Sequence, residues 1–194
     1  MQKVLIILAH PAIQKSKIHK ALIEAVSDLD GVTTHDLYEN YPDFFIQIKN
    51  EQTLLLEHDI IVWQHPLYWY SCPALLKEWF DLVLEHDFAY GKKGTALMGK
   101  MTMTVTSTGG SSRVYTESGL HHNTIHQFLI PFRQTALLCG MEYLPPFVVH
   151  GAHALSERAI RLEAKTYRRV IMGLRDGSFP KERIRNADFI NELI

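Results

Sequence analysis

After the run Met101–Thr106 the chain reads Ser107-Thr108-Gly109-Gly110-Ser111-Ser112-Arg113-Val114-Tyr115, and His121 follows six residues on. A phenol and an imidazole so close in sequence are the pair needed to move protons near neutral pH. The two glycines before them let a backbone approach a ligand with no Cβ in the way, their N–H groups free to meet its heteroatoms. That arrangement suits the polar edge of a flat ring system such as an isoalloxazine. Taken one at a time, each side chain reads as an ordinary hydrogen-bonded surface group.

Two further stretches carry chemistry. Ile60-Ile61-Val62-Trp63 runs into Gln64-His65-Pro66-Leu67-Tyr68-Trp69-Tyr70-Ser71-Cys72-Pro73, three rings in a row between two prolines that stiffen the backbone. Rings held at the end of a strand can lie against a planar cofactor, or pack under a helix or against a partner subunit. His10-Pro11-Ala12-Ile13-Gln14-Lys15-Ser16-Lys17 feeds a helix that Ser16 can cap, leaving free N–H groups as an anion seat for a phosphate. Neither G-x-G-x-x-G nor G-x-x-x-x-G-K-[ST] is present, which argues against a Rossmann dinucleotide site and against a nucleotide triphosphatase.

Other signals carry less. His122 and His126 are four apart, but no acid or thiolate stands near them to complete a metal site with His121. Cys72 at a helix mouth reads as a small packed residue rather than a thiolate. Ser111-Ser112 is not a G-x-S-x-G elbow, so an esterase has no support.

The elements that would position these loops alternate. Apolar runs at Val4–Ala9, Thr33–Leu37, Ile60–Trp63, Met101–Thr106 and Phe147–His150 are interleaved with helical periods at Ser16–Leu29, Asn50–Glu57, Ala74–His86, Phe128–Cys139 and Leu155–Leu174. Strands that are apolar throughout belong to a parallel sheet covered on both faces. The expectation is an α/β, flavodoxin-like, doubly wound five-stranded parallel sheet forming one domain over residues 1–194, its ligand at the carboxyl edge of the strands. Leu75, Leu76, Trp79, Phe80 and Val83 share a face that is either core or a dimer seam. The last helix sets Ile160, Ala164, Tyr167 and Ile171 against Arg158, Arg161, Lys165 and Arg168. Phe179 to Ile194 reads as a polar segment wrapping the surface.

Composition narrows the class. With 194 residues, 46% of them hydrophobic, a full core is within reach. The 20 basic and 21 acidic residues leave no field to draw in nucleic acid or an anionic membrane. Two cysteines are too few for a disulfide scaffold, which points to a reducing cytoplasm. No apolar stretch approaches the ~20 residues that span a bilayer, and no export signal is evident.

Taken in order, His10-Pro, Pro66-Leu-Tyr-Trp-Tyr with Pro73-Ala-Leu-Leu-Lys-Glu-Trp, Phe88-Ala-Tyr-Gly, and Thr108-Gly-Gly with Tyr115 and His121 resemble the flavodoxin-like NAD(P)H:quinone oxidoreductase family over nearly the whole chain. Tyr41-Pro-Asp-Phe and Trp63-Gln-His-Pro are similar to its members that serve as ancillary subunits of glutathione-gated potassium efflux systems. The resemblance implies a homodimer binding FMN, or alternatively FAD. NADH or NADPH would deliver hydride to it, and a quinone would collect two electrons by a ping-pong route. It also implies a possible membrane antiporter partner, which would hold the protein at the inner face of the membrane. By position, His10, Ser16, Lys17, Ile18 and His19 would hold phosphate; Pro66, Leu67, Tyr68, Trp69 and Tyr70 would hold the ring; Ser107, Thr108, Gly109 and Gly110 would line its pyrimidine side. Tyr115 and His121 would stabilise charge on the reduced ring. The chain departs from the family at two positions, having His19 where asparagine is usual and Ser107 where threonine is usual.

Overall fold

A computed structural model describes residues 1–194. Its strands are β1 (Val4–Leu8), β2 (Val32–Asp36), β3 (Ile60–Pro66), β4 (Met101–Ser107), β5 (Glu142–Tyr143) and β6 (Phe147–Val149). The helices are α1 (Lys17–Glu24), α2 (Leu37–Asn40), α3 (Ile48–Glu57), α4 (Ala74–Val83), α5 (Ile125–Phe128), α6 (Ile130–Leu138), α7 (Glu157–Arg175) and α8 (Lys181–Asn186). All pairings are parallel in the order β2-β1-β3-β4-β5, with β6 also beside β4. The winding turns to one side at β2 and to the other from β3 onward. The crevice outside β1 and β3 is therefore the switch point at which such sheets bind ligands.

The strand period divides the core. Leu5, Ile7, Ile61 and Trp63 face α3, α4 and α6, whereas Val4, Ile6, Ile60, Val62, Met103 and Val105 face α1 and α7. On α4, Leu75, Leu76, Trp79 and Val83 are buried in the first layer, so that face is core. Trp79 also donates its indole N–H to Glu51 on α3 at 2.7 Å; Glu51, 1% exposed, accepts from His35 Nε2 at 2.8 Å and from the Tyr41 hydroxyl as well. Three donors satisfy one buried carboxylate and pin β2 and α4 to α3.

Several boundaries differ from the sequence expectation. α1 stops at Glu24 instead of Leu29, although Val26 and Leu29 still reach the core. β2 is half-exposed, with polar Thr33 and Thr34 outward, because it is an edge strand; it ends at Asp36, whose side chain caps α2 at Tyr38 N and Glu39 N. The helical stretch at Phe128–Cys139 begins earlier and is two elements. Thr124 and Gln127 form a capping box for α5, and α6 starts afresh at Ile130 with Pro131 in its first turn.

The fifth strand is split into β5 and β6 around Leu144-Pro145-Pro146, since neither proline offers an N–H to a ladder. Outside β6, the Asn191 amide takes the N–H of Val148 at 3.1 Å and gives to its carbonyl at 3.2 Å, occupying the groups a further strand would use. The C-terminal segment is thus not a surface wrap: Ile190 and Leu193 are buried in the second layer. Phe179 turns back onto α7 at Gly173, where a Cβ would sit 2.3 Å from its ring.

Candidate functional site

The carboxyl ends of β1, β3, β4 and β6 open into one crevice of ≈ 550 Å³, within the range of small-molecule sites. At one end Ser16 caps α1 by accepting from His19 N, so the N–H groups of Lys17 and Ile18 have no intrahelical partner. With the Lys15 and Lys17 side chains lining the same end, this is an anion seat. His10 accepts from Ala12 N at Nδ1 (3.1 Å), which leaves Nε2 as the protonated nitrogen of the neutral ring. Burial lowers its pKa, against a smaller upward pull from its own backbone.

Pro66, Leu67 and Tyr68 supply an apolar wall, and Ser107, Thr108 and Gly109 face it. A Cβ at Gly109 would come no nearer than 3.3 Å to anything, and then only to His153, so glycine there leaves the wall low. Gly110 lies outside the lining: its missing Cβ makes room for Val114, 2.7 Å away, and for Tyr115. The need for glycine at this position comes from the chain's own packing rather than from a ligand.

Three other expected contacts are placed differently. Trp69 is 92% exposed and does not line the crevice. Tyr68 and Ser71 exchange backbone hydrogen bonds, so Trp69 (φ 49°) and Tyr70 (φ 62°) are the two central residues of a tight turn, both left-handed. Such a turn normally takes Asn-Gly, and each bulky residue there costs on the order of 1–2 kcal/mol. Tyr70 swings to the side, stacking on Phe128 at 5.0 Å and edge-on to His121 at 5.4 Å. His19 is fully buried beneath the crevice floor, so it cannot touch a phosphate with its ring.

Tyr115 and His121 meet, with ring centroids 4.7 Å apart. They sit behind the wall: Tyr115 lies 5.6 Å from His150, whose Nδ1 is 3.0 Å from Thr108 Oγ1 in the lining. A short 3-10 turn at Ser112–Val114 and the bond from His121 N to Val114 O close the loop that brings them together. His126 turns away to stack on Phe189, and no three potential ligands gather to hold a metal. Burial raises Cys72 and pushes Cys139 up to about 11, so neither is an activated thiolate.

Sequence reasoning missed the wall formed by Ala152, His153 and Leu155. The signal was available, because these residues follow a strand at the same carboxyl edge. An anion seat at one end, an apolar wall beyond it and hydroxyl and amide donors opposite together fit a phosphorylated flat heterocycle such as a flavin mononucleotide. His19 and Ser107, the two family departures, hydrogen-bond each other at 2.9 Å.

Residues 2–171 match a family model described as flavodoxin-like fold. The glutathione-regulated potassium-efflux system ancillary protein KefG of Enterobacter sp. (strain 638) is 45% identical over 165 residues, 85% of this chain and 90% of its own length. General stress protein 14 of Treponema denticola, solved in complex with FMN, is 40% identical with TM-score 0.81, over 90% of this chain and 98% of that one. A protein of P. pentosaceus described as an NADPH-quinone reductase is 35% identical with TM-score 0.79, over 86% of this chain and 96% of that one.

Proposed function

Because this chain belongs to the flavodoxin-like family, we propose that it is a flavin-dependent NAD(P)H:quinone oxidoreductase with FMN as its cofactor and FAD as the alternative. The observation that carries this is the single crevice at the switch point joining an anion seat to an apolar wall. Its likeness to an FMN complex and to an NADPH-quinone reductase supports the same reading. Bound flavin would take a hydride from NADH or NADPH and, after the nicotinamide leaves, pass two electrons to a quinone, which gains two protons to become the hydroquinone.

The chain's own residues have separate tasks. Ser16, Lys15, Lys17 and the first-turn N–H groups of α1 bind phosphate, and His10 donates from Nε2. Pro66, Leu67 and Tyr68 orient the ring and exclude water from one side. Tyr115 and His121, behind the wall, would act on the negative charge left by hydride arrival through His150 and Thr108, and would relay from solvent the one proton the outgoing quinol needs beyond the hydride. A homodimer, a cytoplasmic location and one domain over residues 1–194 belong to the proposal. Exposed Ile130, Leu137 and Leu138 on α6 supply an apolar surface suited to a second copy.

The test is direct. Purified protein should be yellow or take up added FMN, bleach with NADPH and regain colour with a quinone. Tyr115→Phe with His121→Gln should slow hydride transfer ~10-fold or more; unchanged reduction would remove that pair from the mechanism, and failure to take up flavin would remove the enzyme.

The likeness to KefG favours a second, compatible role as an ancillary subunit of a potassium efflux antiporter. Arg158, Arg161 and Lys165 are exposed on α7, whereas Arg168 is engaged by Asp28 and the Ala25 carbonyl. Reversing the charge of the first three should abolish co-purification with such an antiporter if that face is the contact.

A further inference from the structure

A line of polar side chains runs under the crevice floor. The Tyr167 hydroxyl on α7 donates to Gln64 Oε1 on β3 at 2.9 Å. Gln64 Nε2 then faces His19, 3.4 Å from its Nδ1 and 3.5 Å from its carbonyl oxygen. His19 Nε2 lies 2.9 Å from Ser107 Oγ, and Ser107 is in the crevice lining. Tyr167, Gln64 and His19 are completely buried.

The proton positions follow from these contacts. The amide must present N–H and not C=O to His19, because a carbonyl can only accept. An N–H aimed at Nδ1 requires a lone pair there, so the neutral ring carries its proton on Nε2. Burial, with His10 and His65 close by, holds His19 well below the ordinary histidine range, so the ring is neutral. Nε2–H donates to Ser107 Oγ, which leaves the serine's own proton to go elsewhere.

We propose that Tyr167, Gln64 and His19 are positioning residues that fix Ser107 as a hydrogen-bond donor into the crevice, selecting an acceptor atom of the cofactor. A serine without this chain can donate or accept by rotating its hydroxyl; here one direction is set before the ligand arrives, which lowers the ordering cost of binding. The chain also ties the crevice to α7, the helix with the exposed basic face. That Ser107 meets a cofactor rests on the flavin reading; the proton arrangement does not.

Two measurements decide it. In protein labelled with 15N-histidine, without added flavin, His19 should show a protonated Nε2 and a bare Nδ1 at neutral pH. Tyr167→Phe, which removes only the hydroxyl that holds Gln64, should shift His19 toward the Nδ1–H form. A protonated Nδ1 in the unaltered protein, or a pattern indifferent to Tyr167→Phe, overturns the proposal. In FMN titrations followed by flavin fluorescence, Ser107→Ala should weaken binding about tenfold, the equivalent of one hydrogen bond, and Tyr167→Phe about threefold. The double variant should be no worse than Ser107→Ala alone; additive losses would show that the two residues act independently and overturn the coupling. If the unaltered protein takes up no FMN, the flavin reading falls while the tautomer still decides the proton arrangement.

Discussion

Acidification below neutral pH should destabilise this protein through His65. His65 is fully buried on β3, stacked on Phe132 with centroids 5.0 Å apart, and its Nδ1–H is given to the Pro66 carbonyl at 2.9 Å. Burial lowers its pKa from 6.5 to about 4, against a smaller upward pull from the bond to Pro66. Between those two values the unfolded chain holds more protons than the folded one, so stability rises with pH there and is lost as pH falls below about 6.5. From these values His65 alone removes ~1.4 kcal/mol by pH 5.5 and ~2.5 kcal/mol by pH 4.5. Urea denaturation without added flavin, at pH 7.5 and 5.5, reads this in the difference between the native chain and His65→Phe, which keeps the ring stack. The variant will start less stable, having lost a hydrogen bond, but should lose ~1 kcal/mol less across the interval. Identical losses for the two proteins would refute the claim that His65 is held neutral by burial.

Three substitutions probe other features. Trp69→Gly should leave stability within about 1 kcal/mol, because relief of the left-handed turn offsets the added freedom of the unfolded chain; a melting point lower by more than ~5 °C would mean that the indole is packed. Glu51→Ala should cost ~3–5 kcal/mol by denaturation, since it strands the Trp79 indole and the Tyr41 hydroxyl in the core, and a cost below ~1 kcal/mol would show the network to be dispensable. Gly173→Ala drives a methyl into the Phe179 ring and should lose ~1–3 kcal/mol despite alanine's better helix propensity; a stabilised variant would mean that the tail is not seated as described.

What the sequence allowed to be read was the part that depends on local periodicity. Uniform apolar runs located the inner strands, and turn chemistry located the three loops that form most of the crevice. Properties that depend on distant partners were not legible. Nothing in Ser16–Lys17–Ile18–His19 distinguishes a residue facing the phosphate seat from one buried against β4, because that depends on how α1 is rotated over the sheet. Trp69 looked like a ligand platform because rings usually seek cover, yet the turn it occupies turns it outward. Ile190 and Leu193 have too short and polar a context to signal burial, and only the groove beside β6 and α7 makes them core.

The side-chain amide clasped to Val148 has a consequence for the molecule among its neighbours. An open sheet margin invites extended peptides from other molecules to dock and propagate fibrillar stacking. On the side away from β2 the margin is two short strands, β5 and β6, separated by prolines, and the second of them is already occupied from within the chain. Lateral polymerisation at this margin would first have to displace Asn191, so dense populations of the protein should resist fibril growth there even when partly heated.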